Sequence, residues 1–357
     1  MHIPDGYLSP QTCGVFAAAM VPIWTTAGRR VRRIVKSRYV PLVALGAAYS
    51  FLVMMFNVPV PDGTTAHAIG AVLIAVVLGP SAAVIAVSVA LTIQALFFGD
   101  GGVLALGANT FNMAFVMPLV GYGVYWSACR NVPLTSRRRP IAAGVGGYVG
   151  MNAAALCAGV ELGLQPTLFH SANGTPLYAP FHLSQSIPAM ALAHLTVAGA
   201  VEFALTAGVL AYLQRANLPL LRINHGAAPT SGREHAPGKG LSRRWGLIGL
   251  ATMIALTPLG LLAPGRAFGE DAPSDLALGK YHLTAIPSGL RHYAGFWHNA
   301  LFDGYGFGHD NHPTVGYLIS AIVGAAAIAA VIAAAFALAS LRRRTSDVDD
   351  ALDPAKT

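Results

Sequence analysis

The chain has 357 residues, 54% of them hydrophobic and only 11% charged, with a formal net charge of +8. A soluble domain carries about 25% charged residues, so this composition excludes an ordinary water-soluble globule and indicates a polytopic membrane protein. The basic residues lie in short runs between apolar segments, which argues against nucleic acid as a partner and assigns them to topology and lipid headgroups.

The first ten residues, MHIPDGYLSP, are polar and stiff. A secretory signal would begin with basic residues and an apolar core, and this segment has neither. The bulk of His2 is expected to keep Met1 in place, leaving the α-amine on that residue. The amine, the His2 amide nitrogen and the imidazole Nδ1 can close two small chelate rings on one ion. Three nitrogens in a plane suit Ni(II) and Cu(II) better than tetrahedral Zn(II). Taken alone, the plainer reading is a frayed terminus with a solvated histidine.

A first apolar span is expected over 11–27, with Ala17, Ala18 and Ala19 as a small-residue face. The run Arg29, Arg30, Arg32, Arg33, Lys36, Arg38 follows. A second span over 39–57 leads into the turn-forming VPVPDGT. A short third span, 64–79, opens at His67, ends at Gly79-Pro80, and could be partly re-entrant. Residues 81–98 return, and the glycine-rich stretch 98–113 leads into a span ending near 127. Spans at 140–162 and 184–213 flank a loop with His170 and His182. A polar, basic linker covers 214–243. Two further spans, 244–264 and 314–341, enclose a long loop, and a charged tail occupies 342–357.

The expected fold is therefore an all-α membrane helix bundle of about nine spans, with its N-terminus outside and its C-terminus cytoplasmic. Of the 23 Lys and Arg residues, only Arg266, Lys280 and Arg291 then fall outside. That asymmetry is what the positive-inside rule requires. Histidine does the reverse. His2, His67, His170, His182, His282, His292, His298, His309 and His312 gather at the outer face, where they suggest metal capture or simply His-rich loops.

His67, after Thr64-Thr65 at the mouth of a span, is the best fourth ligand, although a histidine at a helix start is usually a cap or a core hydrogen-bonder. The expected set is Met1, His2 and His67, with no carboxylate among the ligands. Glu161, His194 and Glu202 lie within spans, where ionisable groups face an interior or a partner. His194 and Glu202, eight apart, share one helix face. They serve either as supporting or pathway groups, or as structural hydrogen-bonders. The stretch 99–113 offers Asp100, Asn109, Thr110, Asn112 and Met113 near the site, with Asn109 and Thr110 as possible hydrogen-bond partners of the imidazoles. Cys13, Cys129 and Cys157 are isolated and suggest neither disulfides nor a thiolate site. No GxxxxGK[ST], HExxH or GxSxG occurs, so ATP hydrolysis and protease chemistry are not expected.

MHIPDGYLSP, VPVPDGTTAHAIGAVLIAVVLGP at 58–80, QALFFGDGGVLALGANTFNM at 94–113 and AHLTVAGAVEFALTA at 193–207 resemble the CbiM/NikM family. These are the substrate-binding components of energy-coupling factor transporters for cobalt and nickel. The likeness spans about 1–213, and 244–341 looks like a fused NikN- or CbiN-like module. It implies metal ligands at Met1, His2 and His67, a transported Ni(II) or Co(II) ion with no intrinsic cofactor, and a prokaryotic cell membrane. It also implies a transmembrane coupling subunit and cytoplasmic ATPases as partners. An autonomous divalent-metal channel or facilitator and an intramembrane metalloenzyme are the competing readings. The segment FWHNALFDGYGFGHDNHP at 296–313 is expected either to help load the metal or to form a lid without metal contact.

Overall fold

Long apolar stretches punctuated by Gly and Pro have only helices available to them where water cannot satisfy the backbone. The computed structural model describes residues 1–34, 40–60, 64–225, 243–263, 265–307 and 312–351. It is mostly helical. Helix α1 spans Pro10–Ile34 and α2 spans Val40–Met54. A two-residue antiparallel pair follows, β1 Val58–Pro59 with β2 Thr65–Ala66, in the register Val58 opposite Ala66. Of the turn-forming VPVPDGT, residues 61–63 lie outside the described residues.

The short span expected at 64–79 contains a helix of only eight residues, α3 Ala71–Leu78. That helix rises about 12 Å, well short of the roughly 30 Å of a hydrocarbon core. It is apolar all round, so it must be enclosed by protein, and Ala71 through Val77 are buried. Gly79 (φ 95°) breaks it, and Pro80 starts α4, Pro80–Phe98. The next span is one helical run: α5 Leu106–Thr110, a π-turn at Phe111–Val116, and α6 Met117–Cys129. Helix α7 covers Arg138–Leu168. Helix α8, Leu183–Ala193, passes through a second π-turn at His194–Ala198 into α9, Gly199–Ala216.

Helix α10, Leu218–His225, falls inside the expected linker 214–243 and has a packing role. Asn224 donates through Nδ2 to Ala75 O (3.2 Å) and Val76 O (3.1 Å), satisfying carbonyls at the end of α3. The rest of that linker, 226–242, including His235, lies outside the described residues. Helix α11 runs Arg243–Leu256 and tightens to a 3₁₀ turn at Thr257–Leu262. The long loop contains α12, Ser288–Tyr293. The last helix, α13 Pro313–Ala351, continues well into the expected tail.

Four helical runs among the described residues are long and apolar enough to cross a membrane: Pro80–Phe98, Arg138–Leu168, Leu183–Ala216 and Pro313–Leu338. Val40–Met54 and Gly246–Leu262 are apolar but shorter. Helices α6 and α7 cross at glycine: a Cβ on Gly121 would sit 2.6 Å from Gly146 O, and one on Gly150 would sit 2.5 Å from Met117 O. Small residues four apart let backbones approach this closely. Gly146→Val is expected to destabilise the detergent-solubilised chain by about 1–3 kcal/mol or more, read as a fall in Tm. An unchanged Tm would mean that the crossing has room to spare.

The last helix docks onto the N-terminal helices. It lies against α2 and α4, with Tyr317 OH donating to Met55 O at 2.9 Å. The loop ahead of it caps α4, where Trp297 Nε1 donates to Leu96 O (2.9 Å) and Phe302 N to Phe97 O (2.9 Å).

Candidate metal centre

The polar start of the chain is threaded into the bundle rather than frayed. Asp5 accepts hydrogen bonds from Val103 N (3.1 Å), Leu104 N (2.8 Å) and Ala105 N (3.3 Å). It thereby satisfies donors that a helix start leaves unpaired, those leading into α5. Ile3 is clamped on both sides of its peptide: its N–H donates to Asn109 Oδ1 (2.8 Å), and its carbonyl accepts from Asn109 Nδ2 (3.0 Å) and Gly102 N (2.9 Å). Ser9 N donates to Gln165 Oε1 (2.9 Å), and Ser9 Oγ accepts from Thr12 N (3.1 Å) to cap α1. These long-range backbone bonds tie the segment to the bundle and place its amine beside the helix ends.

His67 is positioned from the other direction. Just after it, the Ile69 and Gly70 amides donate to Glu202 Oε2 at 2.9 and 3.0 Å. Gly70 takes a left-handed φ of 72°, and its α-carbon faces the Tyr49 ring, so any side chain there would be excluded. The Ala68 carbonyl can only accept, and it lies 3.0 Å from His67 Nδ1. The proton is therefore on Nδ1, and the Nε2 lone pair is bare. That nitrogen is buried and has no hydrogen-bond partner. An imidazole held this way by a backbone carbonyl is the usual arrangement of a metal-binding histidine.

These two arms meet. The His2 and His67 rings stack with centroids 5.0 Å apart and planes 28° apart. They are 3% and 6% exposed. His2 Nδ1 lies 3.3 Å from Asp100 Oδ1. Asp100 is held by Tyr305 OH (2.5 Å) and Gln94 Nε2 (3.2 Å) on its other oxygen. His2 Nε2 and Gln94 Oε1 are both buried without a partner. They are complementary if the imidazole proton moves to Nε2.

The remaining two nitrogens share one acceptor. Met1 N and His2 N donate to Glu270 Oε1 at 2.7 and 2.8 Å. Burial, followed by the neighbouring ammonium, lowers His2 to about 4 against the partial opposition of Glu270 and Gln94. Burial pushes the Glu270 carboxyl up, but the ammonium, His2 and His67 beside it hold it below the usual carboxylate range overall.

Other expected site residues take different parts. Asn109 bonds the Ile3 backbone and no imidazole, and Thr110 Oγ1 bonds back to Leu106 O (2.7 Å) within its own helix. His194, at the start of the second π-turn, bonds Met190 O through Nδ1 (2.7 Å). Glu161 accepts from Asn112 Nδ2 (2.9 Å) away from the ring pair. Among the described residues no group of three or more His, Cys, Asp or Glu side chains is placed to hold a metal. His182 and His282 line a separate cavity of about 930 Å³ with Arg291, and no third ligand joins them. His309 lies outside the described residues. The segment 296–307 reaches the site through Tyr305, whose OH donates to Asp100 Oδ2 and accepts from Gln94 Nε2 (2.9 Å).

Glu270 is the residue the sequence reading missed. It stands 268 positions from His2, so no spacing motif links them. The one local signal was the adjacent pair Glu270-Asp271 on a loop otherwise read for its basic residues and histidines.

The profile of the CbiM family, described as the cobalt uptake substrate-specific transmembrane region, matches residues 2–220. The chain is 48% identical to a fused nickel transport protein NikMN of Rhodobacter capsulatus, over 96% of this chain and 99% of that one. It is 45% identical to a probable fused nickel transport protein LarMN of Lactiplantibacillus plantarum, over 90% and 93%. A crystal structure of a truncated transition metal transporter superposes with a TM-score of 0.57 at 58% identity. It covers 60% of this chain and 99% of that one.

Proposed function

The chain belongs to the CbiM family of cobalt uptake substrate-specific transmembrane regions, and on that premise we propose that it is the substrate-specificity subunit of an ATP-driven nickel or cobalt importer. The ion is its cargo, bound by the Met1 amine, the His2 amide nitrogen, His2 Nδ1 and His67 Nε2. The observation that carries this reading is His67: its tautomer is set by Ala68 O, and its bare Nε2 is buried against the His2 ring. A neutral nitrogen lone pair left dry and unpartnered is costly unless something else occupies it.

Planar nitrogen coordination favours Ni(II) by d-electron preference, and the two fused relatives carry nickel in their names. Residues 1–213 form the metal-binding domain, and 244–341 form the two-span module, joined by the linker 214–243. About nine crossings, counting α3 with its extended approach as one, put the site outside and the basic runs inside a prokaryotic cell membrane. The exposed α1 face bearing Ala17 and Ala18 is a candidate surface for the coupling subunit. ATP is hydrolysed by partner subunits, and the chain itself is a carrier rather than an enzyme.

Glu161, His194 and Glu202 are engaged by Asn112, by Met190 O, and by the Ile69 and Gly70 amides. They do not form the continuous polar path a channel needs. Proteoliposomes holding the chain with coupling and ATPase subunits are expected to accumulate radioactive nickel only with ATP, and the chain alone is expected to give none. Equal uptake without those subunits would establish the autonomous facilitator instead.

A further inference from the structure

The Glu270 carboxylate lies where the ion must go. Its Oε1 is 2.7 Å from the amine and 2.8 Å from the His2 amide, so it lies where the two N–H directions converge. After the amide loses its proton, the nitrogen lone pair points along the same line as the former N–H bond. An ion about 2 Å from both nitrogens would fall far inside bonding distance of that oxygen. Ion and carboxylate exclude each other.

We propose that Glu270 is a latch displaced by the metal: empty, it holds the two backbone donors, and loading the ion frees it together with the loop that carries it. That loop grips both ligand-bearing arms. The Arg266 carbonyl accepts from Thr65 N (3.3 Å), two residues before His67, and the Asp271 carbonyl accepts from Tyr7 OH (2.9 Å). Releasing Glu270 therefore loosens a strap between the N-terminal segment and the two-span module. The module receives a signal that the site is filled, in the only place where it touches the donor nitrogens among the described residues.

Charge does not choose between the two states. The amine and amide donors carry one positive charge in each state, as an ammonium without the ion and as a divalent ion bonded to one amidate with it. The two short hydrogen bonds exist only in the empty state, so they compete with metal. Charge-assisted bonds of this length are the stronger kind. Their loss is expected to tighten nickel binding about tenfold or more.

The proposal rests on Met1, His2 and His67 being the ligands, and its test separates the two ideas. Nickel binding would be followed by calorimetry, stopped flow and visible absorption on the full chain with its native N-terminus, beside Glu270→Gln and Glu270→Ala. Both variants are expected to bind faster and at least about tenfold tighter, with the planar Ni(II) absorption band unchanged. Hydrogen exchange over 266–271 should rise on adding nickel to the wild type and be high already in Glu270→Ala. Unchanged affinity, or weaker binding with an altered absorption band, would overturn the latch and, in the second case, make Glu270 a ligand. A wild-type chain that binds no nickel would overturn the ligand assignment itself.

Discussion

A chain lengthened by Ala-Ala ahead of Met1 is expected to bind nickel on the order of a thousandfold more weakly than the native chain, a loss of about 4 kcal/mol. The extension converts the terminal amine into a peptide nitrogen and breaks the chelate ring it shared with the His2 amide. It also has to enter the space where Met1 N, the backbone of His2 and Glu270 now pack, since Met1 is 4% exposed. Two residues make a better probe than one. A single residue would place histidine third, and an amine, two amides and an imidazole in that order chelate Ni(II) in a plane unaided. His67→Ala on the native chain is the companion experiment. It removes one donor but keeps the three-nitrogen chelate, so a smaller loss and an altered absorption band are expected. Equal binding by the lengthened and native chains would remove the amine from the ligand set and return attention to the outer-loop histidines.

The helical character was legible because apolar runs interrupted by Gly and Pro leave few alternatives in a bilayer. Gly79-Pro80 marks a helix boundary in the sequence, and Gly79 with φ 95° is where α3 gives way to α4. The brevity of α3 was less legible. VLIAVVL is apolar enough for a span, and only the Glu202 carboxylate drawing the Ile69 and Gly70 amides out of helix shows why it starts late. Composition also hid α10, whose Leu218, Leu220 and Leu221 sat in a stretch read as a polar linker.

At the site, Met1, His2 and His67 could be singled out because each carries its chemistry in its residue type and sits beside a turn. The structure brings His2 and His67 into ring contact next to the amine. Asn109 is expected near the imidazoles for its hydrogen-bonding amide, and that amide meets the two-sided hydrogen bonding of the Ile3 backbone. The link between Glu270 and the chelate was not legible from spacing. A carboxylate reaching the chelate from the other half of the chain obeys no periodicity; its loop is held there by tertiary contacts, Thr65 N donating to Arg266 O and Tyr7 OH to Asp271 O.

Nickel affinity is expected to fall about a hundredfold for each unit that pH drops between neutrality and about pH 5. Two protons must leave for the ion to bind: one from the ammonium paired with Glu270 and one from the His2 amide. Each competes with the metal, so affinity falls as pH falls, and two released protons give a slope of two. The imidazoles add nothing in this window. His2 is lowered to about 4, first by burial and then by the ammonium, so it is already neutral near pH 7. A charged His67 would bury an Nε2–H with no acceptor. Only as pH approaches about 4 does His2 begin to take up a third proton, and the slope should steepen there. Calorimetry in buffers of different ionisation enthalpy counts the released protons directly. A count of one would show that the amide stays protonated and the chelate is not planar. A count of three at pH 7 would show that a histidine enters the reaction charged, against the dry packing of the ring pair.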